Sequence, residues 1–347
     1  MNRKKIILFI CLLGVGIGLF FAFRLYQIFF WSNTTCENEY SYIFIDSDDT
    51  IDSLKIELNS FLKSTVAFAI AAEKKGYTKR ILPGKYRIIK GMGNNQIINI
   101  LRSERLATRV VFNNQERLED LVGRLSIQIE ADSLELLTAF QDSIFLADNG
   151  FNKKNALTMY IPNSYDVFWD ITPADFRKRM LNYHDLFWNE KRIAKARALK
   201  LNQKEVYILA SIIQKESVQL KEQNRIAGVY LNRLKIGMKL QADPTVIFAL
   251  KNETNDFRRI IKRVLYKDLG FKSFFNTYLY SGLPPGPITM PDISAIDAVL
   301  NSEEHDYLYF VASPLKPGYH LFAKNLKEHN KNKKVYTRWL RKQKIYR

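Results

Sequence analysis

Two cysteines in 347 residues cannot brace a fold of this size. Cys11 lies inside an apolar run and Cys36 just beyond it, so the two cannot readily pair within one chain, and no disulfide framework is expected. Histidine is almost as scarce. His184, His305, His320 and His329 show no HExxH or other metal-ligand spacing, which argues against a metalloenzyme. There is no glycine-rich phosphate loop and no G-x-S-x-G elbow, so neither a bound nucleotide nor a serine nucleophile is indicated, and no cofactor is expected. Acidic residues are outnumbered, with 35 Asp and Glu against 53 Lys and Arg, for a net charge of +18. That balance points to an anionic partner: nucleic acid, a membrane surface or an anionic cell-wall polymer. Zinc-finger, RNP-type and helix-turn-helix signatures are missing, which sets nucleic acid aside. Repeats and low-complexity segments are missing too.

What the chain does have is apolar material, at 47% of residues. This is enough for one large or two moderate cores. Arg3, Lys4 and Lys5 precede an uncharged run from Ile6 to Phe23, which continues past Arg24 to the aromatic cluster ending at Trp31. A bilayer crossing takes roughly 20 residues, so residues 6–31 are expected to form a transmembrane anchor. The basic residues place 1–5 in the cytoplasm, and everything after about Asn33 outside. The run is too long for a signal peptide and no A-x-A-like site follows it. Thr34 and Thr35 before Cys36 do not give the small-residue context of a lipoprotein site. The expected location is the cytoplasmic (inner) membrane, single-pass, with a periplasmic or extracellular body.

Residues 37–103 read as a small module: a strand over 42–45, a helix capped by Asp49 or Thr50, a second helix over 66–75 stopped by Gly76, a strand over 85–89, and a short helix capped by Asn94 or Asn95. A strand at 110–112 and a helix marked by Leu118, Leu121, Val122 and Leu125 follow. Helical sequence rich in Lys and Arg then runs from about Thr172 to Lys200, with Pro173 in its first turn.

Chemistry is expected between Glu205 and Thr245. Val206, Leu209 and Ile213 recur at helical spacing, and Glu216 falls on the same face. A carboxyl carried toward the core has its charged form disfavoured and can hold a proton near neutral pH, as a general acid must. The alternative is a last-turn Glu that merely reaches solvent. A second helix, 224–234, leads to Gln241-Ala242-Asp243-Pro244-Thr245, where Asp243 precedes a proline and is expected outside helical geometry. Later, Pro284, Pro285 and Pro287 stiffen a loop beside Tyr278 and Tyr280, which alone reads as a plain connector between helices and, in the company of Glu216 and the Asp243-Pro244-Thr245 run, as the wall of a sugar groove. A helix holding Ile296 and Val299, a hairpin over 307–322 and a basic tail from Lys324 complete the chain. His320 stands alone on a strand, where a structural role is the usual one.

The runs LASIIQKES, NRL (232–234), LQADPT (240–245) and NTYLYSGLPPGPI (276–288), in this order, resemble the endolytic murein transglycosylases of the MltG/YceG type. The resemblance covers nearly all of the chain after the first forty residues. It implies an α+β architecture: the anchor, a LysM-like module over 37–107, and a lytic-transglycosylase-like catalytic domain over 108–347. One departure stands out, since Asn163 replaces the acid of a Phe-Pro-Asp-Thr-Tyr-like run. By the resemblance Glu216 is the catalytic acid and base, and Asn232, Gln241, Asp243, Thr245, Asn276 and Tyr278 are candidates for positioning substrate. The bond cut would be the MurNAc-GlcNAc linkage, leaving 1,6-anhydro ends and terminating strand elongation. One well-placed Glu, rather than two carboxylates, suits substrate-assisted chemistry. Peptidoglycan strands and the membrane are the expected partners, and penicillin-binding-protein synthases are the candidate protein partners. The competing reading is a membrane-tethered glycan-binding scaffold that cuts nothing.

Overall fold

The computed structural model describes residues 3–343, which form two compact units: residues up to 110 with 127–131 and 165–172, and 111–126 with 132–164 and 173 onward. The first unit opens with α1 (Arg3–Phe30), 28 residues and so about 42 Å long at about 1.5 Å per residue. It is the one helix among the described residues long and apolar enough to cross a bilayer. Its last turn is built into the module that follows. Ile28 and Phe29 pack on the module core, and the Asn94 amide donates to the Ile28 carbonyl at 2.7 Å while accepting from Asn33 at 2.7 Å. The backbones meet closely: a Cβ on Gly93 would stand 2.8 Å from the Phe30 oxygen.

In that module β1 (Tyr40–Ile45) pairs antiparallel with β2 (Gly84–Ile89), Ile43 opposite Tyr86. Strand alternation turns Ile43, Ile45, Tyr86 and Ile88 inward. They meet Leu54 of α2 (Ile51–Glu57), Phe68 of α3 (Thr65–Lys74), and Ile97 and Leu101 of α4 (Asn94–Ser103). Thr50 caps α2 as its spacing implies, accepting from the Ser53 N–H at 3.2 Å. The cap of α4 differs from expectation. Gly93 occupies it, its N–H donating to the Gln96 side chain at 3.2 Å, because the Asn94 amide is committed inward to α1. The strands β3 (Ala107–Phe112) and β4 (Asn163–Phe168) form a second two-stranded sheet.

The second unit is mostly helical. Three short helices, α5 (Leu118–Leu125), α6 (Ser133–Phe140) and α7 (Ser143–Asp148), precede α8 (Pro173–Phe187) and α9 (Glu190–Ala198). The basic stretch that reads as one helix is thus two, split where Trp188 is buried and Asn189 caps α9 by accepting from the Arg192 N–H at 3.1 Å. At the centre runs α10 (Gln203–Glu216), buried on every side from Val206 to Ile213. Around it pack α11 (Leu220–Lys235), α12 (Asp243–Thr254) and α13 (Ile293–Leu300). The hairpin β5 (Tyr309–Ala312) and β6 (His320–Ala323) follows, with Phe310 opposite Phe322. The basic tail is helical: α14 (Leu326–Lys342), capped by Asn325 accepting from the Glu328 N–H at 3.0 Å, lies on that hairpin.

Candidate active site

Helix α10 is fixed at its start by a reciprocal cap, in which Asn202 accepts from the Glu205 N–H at 3.0 Å and the Glu205 carboxylate accepts from the Asn202 N–H at 2.7 Å. The helix is enclosed on all sides through Ile213, and Glu216 arrives as its last residue, partly buried. Its Oε1 accepts from the Tyr230 hydroxyl of α11 at 2.7 Å. Tyr230 is itself buried, edge-on to Phe310 with ring centres 5.8 Å apart. Desolvation pushes the Glu216 carboxyl from 4.5 up to about 7; the bond from Tyr230 and the charge of Arg233 oppose the rise, and the charge of Asp243 adds to it. A carboxyl so poised is present in both protonation states near neutral pH, as a residue must be that gives a proton in one step and takes one in the next.

Arg233, one turn along α11, is buried and donates through Nε to the Leu308 carbonyl at 2.6 Å and through Nη1 to the Leu240 carbonyl at 2.6 Å. It fastens the chain just before Gln241. Asp243 does not lie outside helical geometry as its place before a proline suggests; it is the first residue of α12, with Pro244 second. The N–H that proline lacks is one of the first-turn groups with no acceptor inside a helix, so it costs nothing there. Asp243 is exposed and accepts from the Tyr278 hydroxyl at 2.6 Å. Burial, and then the bond to Asp243, raise the Tyr278 phenol far above its ordinary range, so it stays a donor. Gln241 is exposed, at a positive φ of 50°, its N–H donating to the Thr277 carbonyl at 3.1 Å.

Of the six positions expected to hold substrate, Gln241 and Asp243 are exposed and Tyr278 is half-buried, and the charges of Asp243 and Glu216 are near enough for Asp243 to raise the Glu216 carboxyl and for Glu216 to raise the Tyr278 phenol. The other three face inward. Asn276 is 0% exposed, donates to the Leu269 and Phe271 carbonyls at 3.0 and 2.8 Å, and accepts from the Tyr278 N–H at 3.0 Å. Thr245 is also 0% exposed, its hydroxyl on the Ala242 carbonyl at 2.7 Å and 2.9 Å from that of Thr277. Asn232 donates to the His305 and Tyr307 carbonyls at 2.7 and 3.1 Å. These three hold backbone in place. The proline-rich loop is a close-packed support: a Cβ on Gly286 would strike the Lys154 carbonyl, and the Ile288 N–H donates to Ser211 of α10 at 3.1 Å.

Three participants have no expected role in the sequence. Tyr230 reads there as one more apolar-stripe residue and Arg233 as part of the NRL run; the amphipathic character of tyrosine is the only local hint that its hydroxyl needs a partner. The third is Glu116, held between Lys215 at 2.8 Å and Lys251 at 2.9 Å. Burial works to raise its carboxyl, but the two lysines outweigh it and the net shift is downward. It ties α10, which ends in Glu216, to α12, which begins at Asp243. His320 has the structural partner its position suggested, with Nδ1 3.0 Å from the buried Glu222. Among the described residues no group of His, Cys, Asp and Glu is placed to hold a metal ion.

The comparisons with known proteins agree with one another. The pattern of the YceG-like family matches residues 43–335. An endolytic murein transglycosylase of Bacillus subtilis (strain 168) is 31% identical over 302 residues, which are 81% of this chain and 80% of that protein. One of Streptococcus pneumoniae (strain R6) is 25% identical over 311 residues, 80% of this chain and 54% of that longer protein. A crystal structure of a YceG-like protein of Listeria monocytogenes superposes with a TM-score of 0.57 at 26% identity, covering 84% of this chain and 98% of that one. With the pattern spanning most of its length and nearly a third of its residues shared across four-fifths of a full-length relative, this chain belongs to the YceG-like family.

Proposed function

We propose that this chain is a membrane-anchored endolytic murein transglycosylase that cuts the MurNAc-GlcNAc bond within glycan strands and leaves 1,6-anhydroMurNAc ends. The observation that carries the reading is Glu216: a partly buried carboxyl held near pH 7, hydrogen-bonded by Tyr230 and flanked by Asp243 and Tyr278. Glu216 gives its proton to the glycosidic oxygen as the bond from the anomeric carbon breaks, and the departing sugar leaves with a new hydroxyl. The N-acetyl carbonyl of the muramyl residue stabilises the cationic centre. Glu216, now a carboxylate, takes the proton of the muramyl 6-hydroxyl as that oxygen bonds to the anomeric carbon. The proton balance closes on Glu216, and no water is consumed. Gln241, Asp243 and Tyr278 contact the sugar, while Asn232, Thr245 and Asn276 keep them in place.

Residues 6–31 anchor the chain in the cytoplasmic membrane with 1–5 inside, a direction supported by Arg3, Lys4 and Lys5. The module over 37–107 is LysM-like and serves either to meet glycan or as a spacer that holds the catalytic domain off the membrane, the domain over 108–347 performs the cut, and penicillin-binding-protein synthases are the candidate protein partners. The test is incubation of the full chain, and of Glu216→Gln, with uncrosslinked glycan strands, followed by mass spectrometry of the products. Anhydromuramyl ends from the parent and a loss of about ten-thousandfold in the variant are expected. Hydrated ends would mean a hydrolase, and equal activity would remove Glu216 from the chemistry. No cleavage by the parent would favour the scaffold.

A further inference from the structure

The segment between α12 and the proline-rich loop carries aromatic residues that divide sharply by direction. Phe275 turns inward, its ring centre 4.7 Å from that of Phe248 in the core. Phe274, its neighbour, turns out and is 69% exposed. Six residues on, Tyr280 also faces out, 41% exposed, and the two rings lie 5.1 Å apart at 37°. Single exposed aromatics are ordinary, but two exposed rings in contact with each other are less so. Its mounting is firm. The Asn276 N–H donates to the Ser273 carbonyl at 2.8 Å and the Tyr280 N–H to the Asn276 carbonyl at 3.2 Å, while the Asn276 side chain is locked from within. The same turn sets the Tyr278 hydroxyl on Asp243. Two outward rings are therefore mounted on the same short turn as Tyr278, whose hydroxyl reaches Asp243.

A pyranose ring offers a matching surface: an apolar C–H face for the rings and hydroxyls at its edge for the polar groups. We infer that Phe274 and Tyr280 form a sugar-stacking subsite that grips a pyranose of the glycan strand away from the bond being cut. The inference rests on the glycan-cleaving reading for its choice of ligand. The contact is made equally in ground and transition states, so it sets affinity and strand-length preference rather than the rate of the bound complex.

The test separates the subsite from the chemistry. Full-length protein in detergent micelles, carrying Glu216→Gln to prevent turnover, is titrated with uncrosslinked glycan oligomers of defined length. Phe274→Ala and Tyr280→Ala should each weaken binding of long oligomers about five- to tenfold, in the range of one lost ring contact, and leave a disaccharide unaffected. Phe274→Trp and Tyr280→Phe, which keep a flat face, should bind as the parent does, whereas Phe274→Leu, apolar without one, should bind as weakly as Phe274→Ala. With Glu216 restored, the alanine variants should raise KM by the same factor while kcat stays within about twofold. Parent-like binding by both alanine variants overturns the inference, as does parent-like binding by Phe274→Leu. If the parent binds strands through these rings but never cuts them, the proposed activity fails and the subsite stands.

Discussion

The raised proton affinity of Glu216 has a consequence for stability that is independent of any glycan assay. Its carboxyl moves from 4.5 to about 7 on folding, so the native state binds the proton more tightly than the unfolded chain does. Stability conferred by the protonated form is fully present below pH 4.5, declines as pH rises through the interval up to about 7, and is gone above it. The interval from 4.5 to about 7, at about 1.4 kcal/mol per pH unit, sets a ceiling of about 3–4 kcal/mol, and the partial solvent access of Glu216 brings the expected figure to about 2 kcal/mol. Gln has nearly the same shape, accepts the Tyr230 hydroxyl bond and carries no charge. Glu216→Gln should therefore be about as stable as the parent at pH 4 and about 2 kcal/mol more stable at pH 8.5, while being inactive. Denaturant unfolding of the full chain in micelles, followed by tryptophan fluorescence, reads this directly, because Trp188 is buried in the same core as α10. A parent-to-variant difference that does not change between the two pH values would refute the claim that burial, rather than solvent, sets the proton affinity of Glu216.

Three further outcomes follow from the same contacts. Tyr230→Phe removes a donor that stabilises the Glu216 carboxylate, so the alkaline limb of the cleavage profile should move up by about one pH unit, measured as kcat/KM against pH. Glu116→Gln leaves Lys215 and Lys251 without a counter-charge and should cost about 1–2 kcal/mol at pH 7; because the Glu116 carboxyl is held low, unfolding curves of parent and variant should converge once the pH falls below its range. Gly93→Ala forces a methyl group against the Phe29 and Phe30 carbonyls and should loosen the end of α1, at a cost of about 1–3 kcal/mol, seen as new protease cleavage near residues 30–34 where the parent resists.

The sequence is most legible where one helix face or one strand face determines position. The module strands follow from their alternation, and the inward setting of Glu216 agrees with its place on the Leu209 and Ile213 face, although α10 proves to be enclosed on every side up to Ile213. The roles of Asn232, Thr245 and Asn276 could not be read in this way. Each is polar and sits in a motif beside chemistry, yet each is spent on carbonyls or a hydroxyl of the chain itself: the Asn232 partners lie 73 and 75 residues away, and Thr245 joins the nearby Ala242 carbonyl to Thr277, 32 residues on. Tyr230 erred in the opposite direction: its ring fits the apolar stripe, and only the fold shows what its hydroxyl touches. The helical tail was available to a closer reading, since Asn325 with Glu328 three residues later is a cap signal that α14 uses. The split at Trp188 was legible in part, since Asn189 is a cap residue that α9 uses, whereas the burial of the indole before it is set by tertiary packing.

The way α1 ends bears on how the first unit is carried. No slack chain separates the last turn of the helix from the module, since Ile28, Phe29, Asn33 and Asn94 are shared between them. The helix is thus a stem rather than a leash, and the module inherits its tilt and its rotation about the membrane normal. A bilayer a few ångströms thicker or thinner changes the tilt that best matches a long apolar helix. With α1 set across a bilayer, a change in lipid thickness would therefore change the stand-off height and heading of the module.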